Sequence, residues 1–436
     1  ETYSILKEFD SANADFTKAN ELNPQNSSIY TSLGNLNRIQ NDFKKAIENY
    51  NKAISLNDSN ESAFYGRAMA YRSLFNYKKA KDDFNKAVEL NPSDNYAFSN
   101  RAVNYSNIDD IDNAIDDFNK ALELNPEDVF ALNGRGVVYR KRLEEELAEK
   151  DFKSAIEIMP EDSYAYYNLA NLYREQGDDA KALKLYSQAI EINYLFPLSY
   201  IARAGMYILQ NNIKKASEDI FQVMDIIPNG FIAHMLDGFI KFIQENYDGA
   251  FLSFKKSIEL NTTEMPEIVY ACGICFFQQK QYAGAKEYLD KALVLSYDIP
   301  ELLYTKGICL LETNNYEEAI NDFTLALDKK QSFIEANYNR AVACIKVKKF
   351  NNAINDLKRC INEQYNLYES YYYYGLCNLN LLNYEEALSN FQIAIDGGFK
   401  NMDVLKNKAY VLSKLEQYEK AVEEYNVILS SDNSDL

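Results

Sequence analysis

An alanine returns along this chain at a fixed interval. Ala12, Ala46, Ala80, Ala114, Ala148, Ala182, Ala216 and Ala250 stand 34 residues apart; one extra residue then enters, and Ala285, Ala319, Ala353, Ala387 and Ala421 resume the same step. A fixed period of this length belongs to a solenoid, in which one small unit is copied because it cannot bury its apolar face alone. Such a fold has no single closed pocket, and its function lies on a long repeated surface.

Other slots keep the interval. Four residues after the alanine comes a ring, as in Tyr50, Phe84, Phe118, Phe152, Tyr186, Phe254, Phe323, Phe391 and Tyr425, with Ile220, Leu289 and Leu357 filling the slot elsewhere. Twelve residues before the alanine is a small residue, such as Gly34, Ala68, Ala102, Gly136, Ala170 or Gly375. Twelve residues after it, Pro24, Pro92, Pro126, Pro160 and Pro228 stop a helix that proline cannot continue.

This pattern resembles the tetratricopeptide repeat family from end to end. The resemblance implies an all-α fold, a right-handed superhelical solenoid of helix-turn-helix repeats. Two features depart from the family pattern. The chain has no tryptophan, and Tyr30, Phe64, Phe98, Tyr166, Tyr200 or Tyr371 stands where one is frequent. The helix-ending proline is replaced at Asp58, Tyr194, Tyr297 and Phe399, where less regular linkers are expected.

Nothing breaks the period, so the expected organisation is one continuous array over 1–436. Residues 1–26 form the end of a first repeat, 27–264 repeats two to eight, 265–430 repeats nine to thirteen, and 431–436 a polar tail. Counting back from Ala12 starts the chain within a first helix, with Tyr3 in its aromatic slot; the expectation is a longer natural chain.

The net charge of −19 argues against nucleic acid as the main partner, because a phosphate backbone requires a basic stripe. Acidic pairs such as Asp82-Asp83, Asp116-Asp117, Glu317-Glu318 and Glu385-Glu386 recur on second helices and read as a solvated face. No run of about 18 apolar residues is present, so no membrane insertion is expected.

Chemistry finds few candidates. His234 is the only histidine and occupies a packing slot. Cys272 and Cys275 form a C-x-x-C within a helix but lack a second pair at zinc spacing. The six cysteines read as small buried hydrophobes in a reducing, intracellular compartment. No glycine-rich phosphate loop occurs. A carboxylate pair that recurs in every repeat is not an active site, so neither enzyme activity nor a cofactor is expected.

One correlation stands out. Arg67, Arg101, Arg135, Arg203, Lys306, Arg340 and Lys408 precede the small slot, and sixteen residues later stand Asp83, Asp117, Asp151, Asp219, Asp322, Asp356 and Glu424. Where the first is not basic the second is not acidic, as in Leu169 with Leu185 and Asp237 with Ser253. This predicts a structural salt bridge between the two helices of a repeat.

The resemblance places the binding surface on the inner face, lined by the first helices. The expected N-terminal part is mixed and locally basic. Tyr65, Tyr96, Ser99, Phe130, Asn133, Tyr164 and Tyr167 fall in its slots, with Arg38, Arg72, Arg140 and Arg174 one turn further on. A middle stretch is apolar, with Leu198, Ile201, Met235, Phe239 and Phe242. It reads equally as a binding floor or as a tightly wound section.

Towards the C-terminus three rows align: Glu267, Glu301, Glu335 and Glu369; Tyr270, Tyr304, Tyr338 and Tyr372; Ile274, Ile308, Val342 and Leu376. An acidic row beside tyrosines suits a protein segment carrying basic and apolar residues. Tyrosines packed between adjacent helices are the competing reading.

The carboxylate clamp of co-chaperone members is not matched. Asn100 holds its middle slot, but Tyr65, Met69, Phe130 and Gly134 replace the rest; around Asn339 stand Tyr304, Ile308, Glu369 and Tyr373. The asparagine ladder of sugar-nucleotide transferases is reduced to Asn100, Asn168, Asn339 and Asn407. The expected role is a non-enzymatic protein-interaction scaffold in a large intracellular assembly. The long array and its abundant Tyr and Asn resemble ciliary or cytoskeletal members of the family. A receptor for short linear motifs and a regulatory arm of a larger enzyme remain open beside it.

Overall fold

The computed structural model describes residues 11, 14–19, 21–261, 263, 265–399 and 401–432. Tyr3 and Ala12, which set the phase of the first repeat, lie outside them, as do residues 433–436. All regular structure among the described residues is helical, in consecutive pairs from Ser27–Ile39 with Phe43–Leu56 to Met402–Lys414 with Tyr418–Asp432. Packing divides the chain into two compact units, residues 1–222 and 223–436. Both are built in the same way.

The two helices of a repeat are joined by a turn of fixed chemistry. The second of its three residues adopts the left-handed conformation, at Asn41, Phe75, Asp109, Leu143, Asn211, Glu245, Lys280, Asn314, Lys348, Leu382 and Glu416, and at one glycine, Gly177. In the turn after Glu61–Ser73, the Asn76 amide donates to the Tyr71 carbonyl at 2.9 Å and the Phe75 amide to the Arg72 carbonyl at 2.9 Å. These bonds satisfy carbonyls the helix end would otherwise leave unpaired.

The ring slot forms the core. Tyr50, Phe84, Phe118, Phe152, Tyr186, Phe254, Phe323 and Phe391 are fully buried, and Leu289 and Leu357 replace rings without loss of burial. Tyr50 lies between the first helix of its own repeat and that of the next. A methyl group on Gly34 or on Gly66 would stand 2.5 Å from the Tyr50 ring. Glycine costs about 1 kcal/mol in a helix relative to alanine, but the ring leaves no room for a Cβ. Tyr425, in the same slot of the last described repeat, is 41% exposed, because no following first helix is described beside it.

The expected salt bridges are present. Arg67, Arg101, Arg135, Arg203 and Arg340 each grip the aspartate sixteen residues on through two parallel bonds of 2.6–2.9 Å. Each guanidinium also makes a third bond that sequence reading missed. Its Nη1 donates to a residue sixteen positions earlier, on the second helix of the preceding repeat: Asn51, Asn85, Asn119, Ser187 or Thr324. The arginine is therefore a staple between repeats as well as within one. Lys306, without a fork, sits 3.0 Å from Asp290 and 3.3 Å from Asp322. Where the staple is missing, Asp237 instead takes Lys241 at 2.5 Å and the Ser253 hydroxyl at 2.5 Å.

Linkers sort into two kinds. Second helices end at Leu90, Leu124, Ile158 and Ile226, two residues before a proline. Those before Asp58 and Tyr194 end at the same place, with extended caps at Asn57 and Asn193, so the irregular linkers expected there do not occur. In the second unit, Ser296, Gln364 and Gly398 are left-handed, and the amides of Tyr297, Tyr365 and Phe399 close back on Ala292, Cys360 and Ala394 at 2.8–3.0 Å. Each of these linkers therefore delivers an aromatic ring directly after the helix.

Candidate protein-binding grooves

The first helices carry the candidate site, and the structure separates its slots into seam and surface. The slot holding Thr31, Ser99 and Asn133 faces the next repeat. All three are buried; Ser99, expected in the groove, is closed off, while Asn133 also lines a cavity over the first helices. Their side chains meet the residue that caps the following first helix. Asn60 donates to the Thr31 hydroxyl at 2.9 Å, while Asp128 accepts from Ser99 at 3.3 Å and Asp162 from Asn133 at 2.7 Å. The same caps accept from backbone amides, Asn60 from that of Ala63 and Asp128 from that of Ala131, each at 3.1 Å.

The tyrosine row occupies that same seam slot, and packing between helices is what the structure shows for much of it. Tyr338 and Tyr372 are only 9% and 8% exposed, and Tyr270 and Tyr304 are half-buried. The linker rings cover them. Tyr270 meets Tyr297, Tyr304 meets Phe333, Tyr338 meets Tyr365 and Tyr372 meets Phe399, with centroids 4.7–5.8 Å apart. Burial pushes the hydroxyls of Tyr304 and Tyr372 up to about 12 and raises that of Tyr338 as well. Tyr65 and Tyr167 in the first unit pack likewise, on Phe84 and on Tyr186 and Phe196. The reduced asparagine ladder serves this seam: Asn100 donates to the Tyr65 hydroxyl at 2.9 Å and Asn339 to that of Tyr304 at 3.1 Å.

The glutamate row is more open. Glu267 and Glu301 are exposed, and Glu335 and Glu369 half-buried. Glu301 pairs with Lys330 at 3.0 Å, and that bond holds its carboxyl below the ordinary range. Beside this row the second unit presents half-buried Ile274, Ile308, Val342 and Leu376, and a turn further on Phe277, Leu311, Ile345 and Leu379. Of the middle stretch, Phe239 is 37% exposed and rests edge-on against Phe254 at 5.0 Å. Met235 and Phe242 are half-buried, with Phe242 against Tyr247 at 5.3 Å.

The first unit holds a groove along its first helices. A cavity of about 720 Å³ lies over the first helices Asn95–Asn107, Val129–Lys141 and Ser163–Glu175. Its lining includes Val103, Val137, Phe130, Tyr164 and Lys141, together with Asn133 and Asp162. Tyr96, Phe130 and Tyr164 share one slot and are 59%, 46% and 55% exposed. Their equivalents in the second unit are the glutamates. These three rings were legible as groove slots, but nothing in the repeat pattern measures which slots stay open.

Ten residues after Phe130 and Tyr164, in the last turns of their helices, stand Arg140 and Arg174; Arg38 and Arg72 hold the same slot in helices whose starting slot holds Ser28 and Ser62, and Ser106 holds it after Tyr96. Arg72 donates to the Asn100 carbonyl at 3.1 Å and its side-chain oxygen at 3.0 Å. Arg140 pairs with Glu175, which also lies 4.0 Å from the exposed Arg174. The Nε atoms of Arg38 and Arg140 are buried without a hydrogen-bond partner.

Elsewhere the chemistry-bearing residues are absorbed by packing. The His234 ring nitrogen meets the Pro228 carbonyl at 3.1 Å, as the Tyr30 hydroxyl in the equivalent slot meets that of Pro24 at 3.4 Å. All six cysteines are free and buried. Burial pushes the thiols of Cys272, Cys275, Cys309, Cys360 and Cys377 up to about 12 and that of Cys344 to about 11. Among the described residues no helix is long and apolar enough to cross a membrane.

A repeated helix pair with a ring set into small residues, stacked through an inner face of first helices, defines a class of protein-interaction solenoids. The chain belongs to the tetratricopeptide repeat family: family profiles described as tetratricopeptide repeat or TPR repeat match residues 34–74, 62–94, 96–128, 128–194, 270–333 and 334–366. Similar solved structures include YrrB, a TPR protein with an unusual peptide-binding site (28% identity, 43% of this chain and 97% of that one, TM-score 0.36). A tetratricopeptide repeat protein from Parabacteroides merdae is 21% identical over 57% of this chain and 98% of that one, with a TM-score of 0.48. The Cut9–Hcn1 hetero-tetramer of the APC/C matches at 15% identity over 94% of both chains, with a TM-score of 0.40. A comparison with curated proteins gives no match.

Proposed function

We propose that this chain is a non-enzymatic scaffold that holds segments of other proteins along its first helices, as a member of a multi-protein assembly. The observation that carries this reading is the open row of Tyr96, Phe130 and Tyr164 beside the cavity over Val103 and Val137. Exposed aromatics along a concave apolar floor are costly in water and are favoured at interfaces. In the second unit the glutamate row beside two apolar rows supports a segment with basic and apolar residues. Six free buried thiols fit a reducing intracellular setting, and a ciliary or cytoskeletal assembly is the setting the long array resembles. A photo-crosslinker at Phe130 or Tyr164 should capture partner protein, and the same group at Lys120 on an outer helix should not. Equal capture from both faces would sink the groove reading. Reversing Glu301, Glu335 and Glu369 to Lys should abolish capture by the second unit.

A further inference from the structure

The two units carry opposite polarity across their first helices. In the first, Val129–Lys141 and Ser163–Glu175 each carry a ring at the start, Phe130 and Tyr164, and a guanidinium in the last turn, Arg140 and Arg174, with Tyr96 and Arg72 on the helices before them. In the second, the starting slot holds Glu267, Glu301, Glu335 and Glu369, and the last-turn slot holds Phe277, Leu311, Ile345 and Leu379. Cations in a last helical turn gain roughly 0.3–1 kcal/mol from the helix dipole. The second unit has such cations too, at Lys241, Lys346 and Lys414, but none of them stands in the slot of the first unit's arginines.

The cations of the first unit are also poorly neutralised. Arg72 and Lys141 donate to uncharged groups, the Asn100 oxygens and the Ser106 carbonyl and hydroxyl. Arg140 and Arg174 share the single carboxylate of Glu175. Arg38 lies close enough to Arg72 to disfavour its charge, and the Arg38 and Arg140 Nε atoms have no partner although buried. These groups form a locally basic edge in a chain of net charge −19, with Asp162 as the carboxylate in the cavity lining. The distance from the ring row to the guanidinium row, ten residues of helix, is about 15 Å, wide enough for a helix of about 10–12 Å or for an extended strand.

Resting on the groove reading above, we infer that the first unit takes a partner segment with one apolar flank and one flank of carboxylates, the reverse of the basic segment suited to the second unit. The apolar flank lies on Phe130, Tyr164 and Val137, and the carboxylates on Arg140, Arg174 and Arg72.

The test uses the whole chain and three labelled amphipathic peptides with the same Leu and Phe positions and with Glu, Gln or Lys at the polar positions. By fluorescence anisotropy the Glu peptide should bind at least 10-fold tighter than the Gln peptide, with an affinity that falls as salt rises. Arg174→Glu with Arg140→Gln should remove that advantage, and the charge reversal Lys120→Glu, on a second helix, should leave it in place. Arg174 is exposed, so Arg174→Glu alone, which should weaken the Glu peptide several-fold, keeps the test valid if the double variant unfolds. Equal binding of the three peptides, or a Glu peptide indifferent to Arg174→Glu, overturns the charge assignment while leaving the groove reading standing. If none of the peptides binds and Phe130→Ser changes nothing, the groove reading falls and this inference with it.

Discussion

At the residue scale, Arg101 shows how one side chain holds two repeats. It grips Asp117 through two bonds and Asn85 through a third. Burial pushes the Asp117 carboxyl up from its ordinary value against the opposing pull of Arg101, so a lone carboxylate there would be costly. Arg101→Leu should destabilise the protein by roughly 3–5 kcal/mol, and Arg101→Leu with Asp117→Leu by clearly less, because the second change removes the stranded charge. Urea unfolding of both variants decides it: a double variant no more stable than the single would disprove the pairing energetics. The pair was legible because basic and acidic residues rise and fall together sixteen positions apart. The third bond was not, since Asn51, Asn85, Ser187 and Thr324 are small polar residues with nothing to mark them among the many others on second helices.

At the scale of the element, the turn between paired helices places ordinary L-residues in the left-handed region. Leu143 sits there at φ 63°, and its side chain is 82% exposed. A non-glycine residue in this conformation loses roughly 1–2 kcal/mol, part of which glycine returns as backbone entropy. Leu143→Gly should therefore stabilise the protein by about 0.5–1 kcal/mol, seen as a higher denaturant midpoint at unchanged slope; a lower midpoint would contradict the steric account. The equivalent Gly177 already has this arrangement. Helix positions were readable from the 34-residue interval, but the fate of the tyrosine row was not. Which face of a first helix stays open depends on what the linker delivers, and only the left-handed ends at Ser296, Gln364 and Gly398 bring Tyr297, Tyr365 and Phe399 over Tyr270, Tyr338 and Tyr372.

For the molecule as a whole, burial of neutral acids sets the response to alkali. The cysteine thiols, ordinarily near 9, are raised to about 11 or 12, and the hydroxyls of Tyr186, Tyr304 and Tyr372, ordinarily near 10, to about 12. A raised value in the folded state means the unfolded chain loses these protons first. Their contribution to stability is complete below about pH 9 and is lost as pH climbs from 9 to 12. The unfolding free energy should be level between pH 7 and 8.5 and fall steeply by pH 10.5, at up to roughly 1.4 kcal/mol per pH unit for each thiol. A flat profile to pH 10.5 would show that the thiols reach water. The alternation of helix pairs was visible in the sequence because every copy repeats the same packing demand. Partner choice was legible only as a list of slots, because it depends on which of them packing leaves exposed.

The stapling arginine has a consequence for how such a chain can change length. Its acceptor in the preceding repeat is the same residue in three successive copies, Asn51, Asn85 and Asn119. Deleting the copy from Asn95 to Asp128 would present Asn85 to Arg135 in place of Asn119, and duplicating it would present Asn119 to a second Arg101. The arginine joints in this stretch read their neighbours with the same grammar, so a copy can be gained or lost with the arginine staple intact. The reach of the surface and the number of Arg and ring slots along it can then drift by integer steps, while the fold of each copy stays untouched.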